Sequence, residues 1–291
     1  MSAAPLRARA PAKLNLSLRV LRRRDDGRHD LDSLVAFAGT GDGLTLTPAG
    51  ELALTVEGPF AAAAGPDQDN LVLRAARALA ARVPGLTLGR FHLIKRLPAA
   101  AGLGGGSADA AAALRLLARA NRLAEDDPRL VAAARETGAD VPVCLAARAR
   151  RMGGTGDELG PPLALPPLFA VLVNPGVALS TAAVFARMGL SPGEDNVAAP
   201  PLRWEGGDAA SLFAALNRTG NDMEAAACVL APVVGDALAV LGAARGARLS
   251  RMSGSGATCF ALFETCRRAG AAAKAIRRDH PGWWVKATTL R

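Results

Sequence analysis

The clearest pattern along the chain lies near its start. Between Arg7 and Leu21, Leu14, Leu16, Leu18 and Val20 alternate with Asn15, Ser17 and Arg19, the period-2 signature of a half-buried strand. Lys13 and Asn15 then share the face opposite the leucines, where they either meet solvent or point into a cleft. A charged turn, Arg22 to His29 around Gly27, leads to a second apolar run, Leu31 to Phe37. Asp42-Gly43 reads as a turn, and Leu44 to Thr47 with Leu52 to Val56 as a hairpin. The spacing predicts a helix over Leu71 to Val83, capped by Asn70 or Asp69 and ended near Pro84-Gly85. Leu86 to Ile94 returns as a strand that delivers Lys95 and Arg96 to a glycine-rich stretch. Beyond that stretch, Asp109 to Leu117 predicts a helix with Leu114 and Leu117 on one face. Further helices are expected at Pro128 to Glu136, at Ser180 to Met188 with Thr181 and Phe185 one turn apart, and at Arg267 to Arg277, and another begins within Asn217 to Ala227. Strands are expected at Leu168 to Val173, on either side of a Ser253 to Gly256 turn, and at Trp283 to Thr289. The pattern is mixed α+β without repeats.

The glycine-rich stretch organises the rest. Gly102, Gly104, Gly105 and Gly106 stand directly before Ser107, with Pro98 ahead of them and an uninterrupted helix behind. Side-chain-free backbone lets an anion approach closely, and the unpaired N–H groups of a first helical turn point at it. Ser107 suits either an N-cap or a hydroxyl contact to the anion. A Walker loop is excluded, because no Lys precedes Ser107. The dinucleotide fingerprint fails as well, since its last glycine would fall on Ser107. The stretch reads as a phosphate cradle. Asp140, between Gly138 and Pro142, sits where a turn or helix start is expected, and an N-cap is its simplest role.

Composition changes this picture little. With 291 residues, half of them hydrophobic, the chain is long enough for one large domain or two ordinary ones. Aromatics make up 4% and Tyr is absent, so the core must be Ala, Leu and Val. A net charge of +9 suits nucleic acid or a polyanionic small molecule. The basic residues are scattered apart from Arg22 to Arg24 and Arg148 to Arg151, with no interleaved aromatics, which argues against a single-strand binding groove. The four cysteines (Cys144, Cys228, Cys259, Cys266) form no CxxC pair and read as buried, reduced thiols. No secretory leader or membrane-spanning run is evident, and a cytoplasmic protein is expected.

Four segments, taken together and in order, carry a resemblance. Pro11-Ala-Lys13-Leu-Asn15-Leu, Leu97-Pro98 through Gly102-Leu-Gly-Gly-Gly-Ser107, Gly138-Ala-Asp140-Val-Pro142 and Met252-Ser-Gly-Ser-Gly-Ala-Thr258 resemble the motifs of the GHMP kinases. That superfamily includes galactokinase, homoserine kinase, mevalonate kinase and phosphomevalonate kinase. Asp26-Gly-Arg28-His29-Asp-Leu is similar to an Asp-Gly-Tyr-His segment of one branch, the kinases of cytidine-diphosphate-linked methylerythritol in non-mevalonate isoprenoid synthesis. The resemblance implies a two-domain fold, an N-terminal domain like the second domain of ribosomal protein S5 over residues 1–162 and a ferredoxin-like C-terminal domain over 163–291. The boundary would fall near Pro161 to Pro167.

It further implies transfer of the ATP γ-phosphoryl group to the 2-hydroxyl of the erythritol part, with Asp140 as general base and Lys13 as its electrostatic partner. Pro98, Ala99, Ala100, Ala101, Gly102, Leu103, Gly104, Gly105, Gly106 and Ser107 would hold ATP, and Asn70 and Lys95 would line the adenine pocket. Asn15, Arg28, His29, Thr181 and Phe185 would bind the substrate, His29 by hydrogen-bonding cytosine and Phe185 by stacking on it. Mg²⁺ would come with ATP, and the sequence leaves open whether protein side chains also hold it. The expected partner is a small molecule with a cytidine diphosphate group, not nucleic acid or membrane, and the chain would be a monomer or homodimer. Two positions depart from the pattern: Arg28 stands where a Tyr is usual, and Ala108 where a second Ser often follows Ser107. A sister kinase of the homoserine or mevalonate type, or a non-catalytic nucleotide- or nucleic-acid-binding protein on the same scaffold, is the alternative.

Overall fold

The structure, a computed structural model, describes residues 4–64, 70–196 and 202–291. Asp69, one of the two expected caps, lies outside the described residues. The chain packs as two units, Met1–Ala12, Gly41–Ala99 and Gly104–Ala147 in the first, and Lys13–Thr40, Ala100–Leu103 and Arg148–Arg291 in the second. Two long strands, β1 (Leu6–Arg23) and β2 (His29–Pro48), contribute residues to both.

In the first unit, the end of β2 pairs antiparallel with β4 (Gly89–Ile94), Leu44 opposite Leu93 and Leu46 opposite Phe91. β3 (Ala53–Glu57) runs parallel to β4 on its other side. The expected hairpin between Leu44 and Val56 is therefore corrected: β4 lies between the two strands. The expected turn at Asp42-Gly43 is absent too, because β2 continues through it. Asp42 is buried in that strand, and its carboxylate accepts from the backbone N–H of Arg96 (2.5 Å) and Leu97 (2.9 Å). Those bonds replace the solvation a turn would have offered.

The helices of this unit are α1 (Leu71–Ala80), α2 (Gly105–Ala120), α3 (Pro128–Thr137) and α4 (Val141–Ala146). Asn70 caps α1, its Oδ1 accepting from Val72 N at 3.0 Å. From Ala108 to Leu114 every residue of α2 is buried, so this helix is enclosed on all sides rather than amphipathic. Its alanines let α1 and α4 pack closely against it.

The second unit carries a hairpin, β5 (Arg150–Gly154) with β6 (Glu158–Pro162), joined to the first half of β2 from Leu31 to Val35. Along the sequence the expected division falls at 162/163, whereas in packing residues 148–162 group with those that follow. After them come β7 (Leu168–Asn174), α5 (Thr181–Met188), α6 (Ala209–Asn217), α7 (Glu224–Leu230), α8 (Val233–Ala243), β8 (Ala247–Met252), β9 (Cys259–Phe263), α9 (Cys266–Asp279) and β10 (Trp284–Leu290). The antiparallel sheet order β10-β7-β9-β8, with α8 leading into β8 and α9 into β10, is the β-α-β-β-α-β arrangement of a ferredoxin-like domain. α5 to α7 are inserted before its first helix. Val171, Val173, Leu241, Phe263, Ile276 and Val285 form its core.

The thiols are unbridged, with Cys144 and Cys259 buried as expected. Cys228 is half-buried and Cys266 exposed, which corrects the expectation for these two. No helix among the described residues is long and apolar enough to cross a membrane.

Candidate active site

In the first unit the glycine stretch ends as the sequence suggests, at a helix start, but the start is earlier. Gly104 takes a left-handed conformation (φ 59°, ψ 25°) and is the N-cap of α2, and Ala108 N donates to its carbonyl at 2.8 Å. Gly105, Gly106 and Ser107 therefore form the first turn, and their N–H groups have no acceptor within the helix. Ser107 is not the cap; it belongs to that first turn, at the positive end of the helix dipole. An anion is what this geometry accommodates.

Lys95 and Asn70, expected at the adenine pocket, are both engaged inside the unit. The Lys95 ammonium lies 2.5 Å from Asp42 Oδ2 and 2.7 Å from Asp109 Oδ2, and its side chain is 6% exposed. Burial works against its charge, but the two carboxylates together outweigh burial and raise its pKa. Burial pushes the Asp109 carboxyl up to about 8, with Lys95 pulling it down and Asp42 adding to the rise. Asp109 Oδ1 is buried without a hydrogen-bond partner among the described residues, in keeping with that direction. The Asn70 side chain caps α1 and its Nδ2 reaches Ala64 O at 3.4 Å. The sequence marks Asp42 only as a turn residue and Asp109 only as a helix start, and gives neither a place in the site. A lone acid in an unbroken Ala run, and another in an alternating apolar strand, were the available signals.

Asp140 holds the N-cap position of α4, yet its side chain makes no capping hydrogen bond to that helix. Its backbone (φ −85°, ψ −8°) sits in the sparsely populated bridge region, and the residue is half-buried. Capping is thus not what its carboxylate does.

In the second unit β1 is enclosed on both faces. Lys13 is 4% exposed, Asn15 2%, Ser17 0% and Arg19 4%, which corrects the expectation of a half-buried strand. Asn15 Nδ2 donates to Ser33 Oγ (2.7 Å), and Ser33 Oγ to Ser17 O (2.6 Å). Asn15 Oδ1 is buried with no partner among the described residues. An acceptor in that state invites a ligand hydroxyl or amine.

The loop residues Ala101 to Leu103 are tied to this strand, to the Ser253 to Gly256 turn and to Thr258 just beyond it. Lys13 N donates to Leu103 O (2.8 Å), Thr258 N to Ala101 O (3.1 Å) and Ser253 Oγ to Gly102 O (2.9 Å). Gly102 has φ +71°, and a Cβ there would stand 2.1 Å from Ser253 O. Asn15 N donates to Ser253 Oγ (3.1 Å), and the Thr181 and Ser255 hydroxyls are 2.8 Å apart. Asn174 Nδ2 in turn donates to Thr258 Oγ1 (3.0 Å). Pro98 is buried, Ala99 half-buried and Ala100 exposed with φ 47°.

His29 and Phe185 are brought together, but onto each other: the rings stack with centroids 3.9 Å apart and planes 7° from parallel. Burial, then the Arg23 charge, lowers the His29 pKa, so the ring is neutral at pH 7. Arg28 is exposed on the hairpin turn, where it pairs with Asp26 (2.7 Å). Among the described residues no three His, Cys, Asp or Glu side chains gather so as to hold a metal ion.

The family model for the GHMP kinases N terminal domain matches residues 70–148, and that for GHMP kinases C terminal matches 202–282. The chain is 62% identical to the 4-diphosphocytidyl-2-C-methyl-D-erythritol kinase of Xanthobacter autotrophicus, over 98% of this chain and 99% of that one. It is also 62% identical to the protein of the same name from Methylobacterium radiotolerans, over 97% and 98%. A crystal structure of 4-(cytidine 5'-diphospho)-2C-methyl-D-erythritol kinase is 34% identical, covering 98% of this chain and 99% of its own, with a TM-score of 0.78. Homoserine kinase from Cytophaga hutchinsonii, at 19% identity and a TM-score of 0.68 over 98% and 95%, shares the fold.

Proposed function

Because the chain belongs to the GHMP kinases, we propose that it uses ATP to phosphorylate the 2-hydroxyl of 4-diphosphocytidyl-2-C-methyl-D-erythritol. The observation that carries this reading is the 62% identity to a kinase of that name across 98% of the chain. The substrate hydroxyl oxygen bonds to the γ-phosphorus, the bond from that phosphorus to the β,γ-bridging oxygen breaks, and ADP leaves. Asp140 takes the hydroxyl proton. Its match to the Gly-Ala-Asp-Val-Pro motif supports the role. Lys13 offsets negative charge on the transferred group and favours the ionised form of the base.

The first turn of α2 and Gly102 to Gly104 cradle the ATP phosphates, since phosphoryl transfer needs positioning and charge stabilisation more than covalent help. Mg²⁺ carried on the nucleotide would supply further neutralisation of phosphate charge, and the Ser107 hydroxyl, in the first turn of α2, would meet it. Asn15 Oδ1, buried and unpartnered among the described residues, accepts a hydrogen bond from the substrate. The His29–Phe185 pair presents an apolar aromatic face to the cytosine ring, and neutral His29 keeps one donor and one acceptor for its edge. Lys95 serves the nucleotide site indirectly: its ammonium pairs with Asp42, whose carboxylate holds the backbone leading into the loop, and with Asp109 of α2.

A coupled ADP-release assay on the full chain tests this. Turnover should require ATP and the diphosphocytidyl alcohol together, with homoserine and mevalonate inert. Turnover with either of those two and none with the cytidyl compound would reassign the chain to a sister kinase.

A further inference from the structure

The segment Gly220-Asn-Asp-Met-Glu224 begins α7, and none of the roles above uses it. It lies between two strands of the second unit and bonds to both. On one side Leu18 N donates to Gly220 O (2.9 Å) and Asp222 N to Leu18 O (2.9 Å), a parallel bridge to β1. The Asp222 carboxylate adds bonds to Val20 N (2.9 Å) and to the Arg19 guanidinium (2.7 Å). On the other side is β8, whose only strand partner among the described residues is β9, so β8 is an edge. An edge leaves every second N–H and C=O without a ladder partner. At Met252 both are taken up: Glu224 Oε2 accepts from Met252 N (2.7 Å), and Asn221 Nδ2 donates to Met252 O (2.9 Å).

Asn221 also donates from the same nitrogen to Gly254 O (2.7 Å), and its Oδ1 accepts from Met223 N (3.0 Å). One buried amide thereby holds a carbonyl of the Ser253 to Gly256 turn, Gly254 O, and the carbonyl just before that turn, Met252 O, and anchors itself to the start of α7. No other side chain of that size offers two donors and an acceptor in one plane. An Asp would set a carboxylate oxygen against two carbonyls. The turn it holds is the common contact of Gly102, Asn15 and Thr181, by way of Ser253 and Ser255. Gly102 lies so close to Ser253 that its path follows the turn, and Gly104, two residues on, starts the anion-binding helix.

We propose that Asn221 is a positioning residue for the phosphate loop, acting through Ser253: it fixes the Ser253 to Gly256 turn, and the turn fixes Gly102. The proposal rests on the loop binding ATP, as inferred above.

The test is calorimetric titration of the full chain with the ATP analogue AMP-PNP, no alcohol substrate present. Asn221→Ala and Asn221→Asp should each weaken binding about 10-fold or more. Ser253→Ala should weaken it as well, and Asn221→Ala/Ser253→Ala should be no worse than the poorer single variant, since both act on one contact. Val234→Ala, a core truncation in the same unit, should lower the melting temperature yet bind within about 2-fold of the parent. If Asn221→Ala does not fold, Asn221→Ser, which keeps one donor, makes the same comparison. Unchanged affinity in the Asn221 variants, additive losses in the double variant, or an equal loss in Val234→Ala would overturn the positioning role. A parent chain that does not bind AMP-PNP would instead remove the kinase reading, and this proposal with it.

Discussion

The Lys95 ammonium and the Asp109 carboxyl meet in the interior of the first unit, Nζ to Oδ2 2.7 Å, a contact that joins the residue entering the glycine loop to the second turn of the helix leaving it. Asp42 completes the cluster from β2 and also holds the backbone of Arg96 and Leu97. Removing the cation leaves the Asp42 carboxylate buried without its counter-charge and the Asp109 carboxyl without its partner. Lys95→Met should therefore cost about 3–5 kcal/mol of stability, read from urea unfolding. A loss below about 1 kcal/mol would mean that the cluster is solvated in the native protein.

The same cluster predicts a pH dependence. The Asp109 carboxyl is raised from 3.8 to about 8 by burial, so the folded state holds a proton there that the unfolded state releases. Stability from this group is present below its unfolded pKa and declines as pH rises from about 4 towards 8. Between pH 5 and pH 8 the stability of the parent chain relative to Asp109→Asn should fall. A relative stability that is flat or rising over that window would show the carboxyl to be ionised throughout.

Much of this was readable in the sequence, and the failures have physical causes. The period of β1 was plain because alternation is local, but its burial was not: a covered polar face looks like a solvated one until its partners, Ser33 and Ser253 for Asn15, are known. Asp-Gly is a strong turn signal, and at Asp42 it was overridden by contacts with residues more than fifty positions away. Pairing of β4 between β2 and β3 is equally non-local. α8 went unseen because Val233 to Ala243 has neither a side-chain cap nor a clean polar face. The glycine loop, Lys13 and Asp140 stood out by motif; Asn221 and Asp109 emerged only from their hydrogen bonds.

Gly102 should tolerate no side chain. It combines φ +71° with the approach to Ser253 O, and left-handed backbone alone costs an ordinary residue about 1–2 kcal/mol. Gly102→Ala should weaken AMP-PNP binding while leaving far-UV circular dichroism unchanged. Gly270→Ala, where a Cβ meets nothing, should do neither harm.

The stacked His29–Phe185 pair should serve the cytosine end alone. Phe185→Ala should raise KM for the cytidyl substrate about 3- to 10-fold, the worth of one aromatic contact, with KM for ATP unchanged. Equal rises in both constants would point to a general loosening of α5 instead.

The most direct measurement is kcat of Asp140→Asn at saturating ATP and cytidyl substrate, alone and combined with Lys13→Met. Loss of a general base should lower kcat by about 10²- to 10⁴-fold with KM values near those of the parent, and Lys13→Met should add little to a step already without its base. An Asp140→Asn enzyme that turns over within about 2-fold of the parent would contradict the assignment of Asp140 as the group that takes the proton.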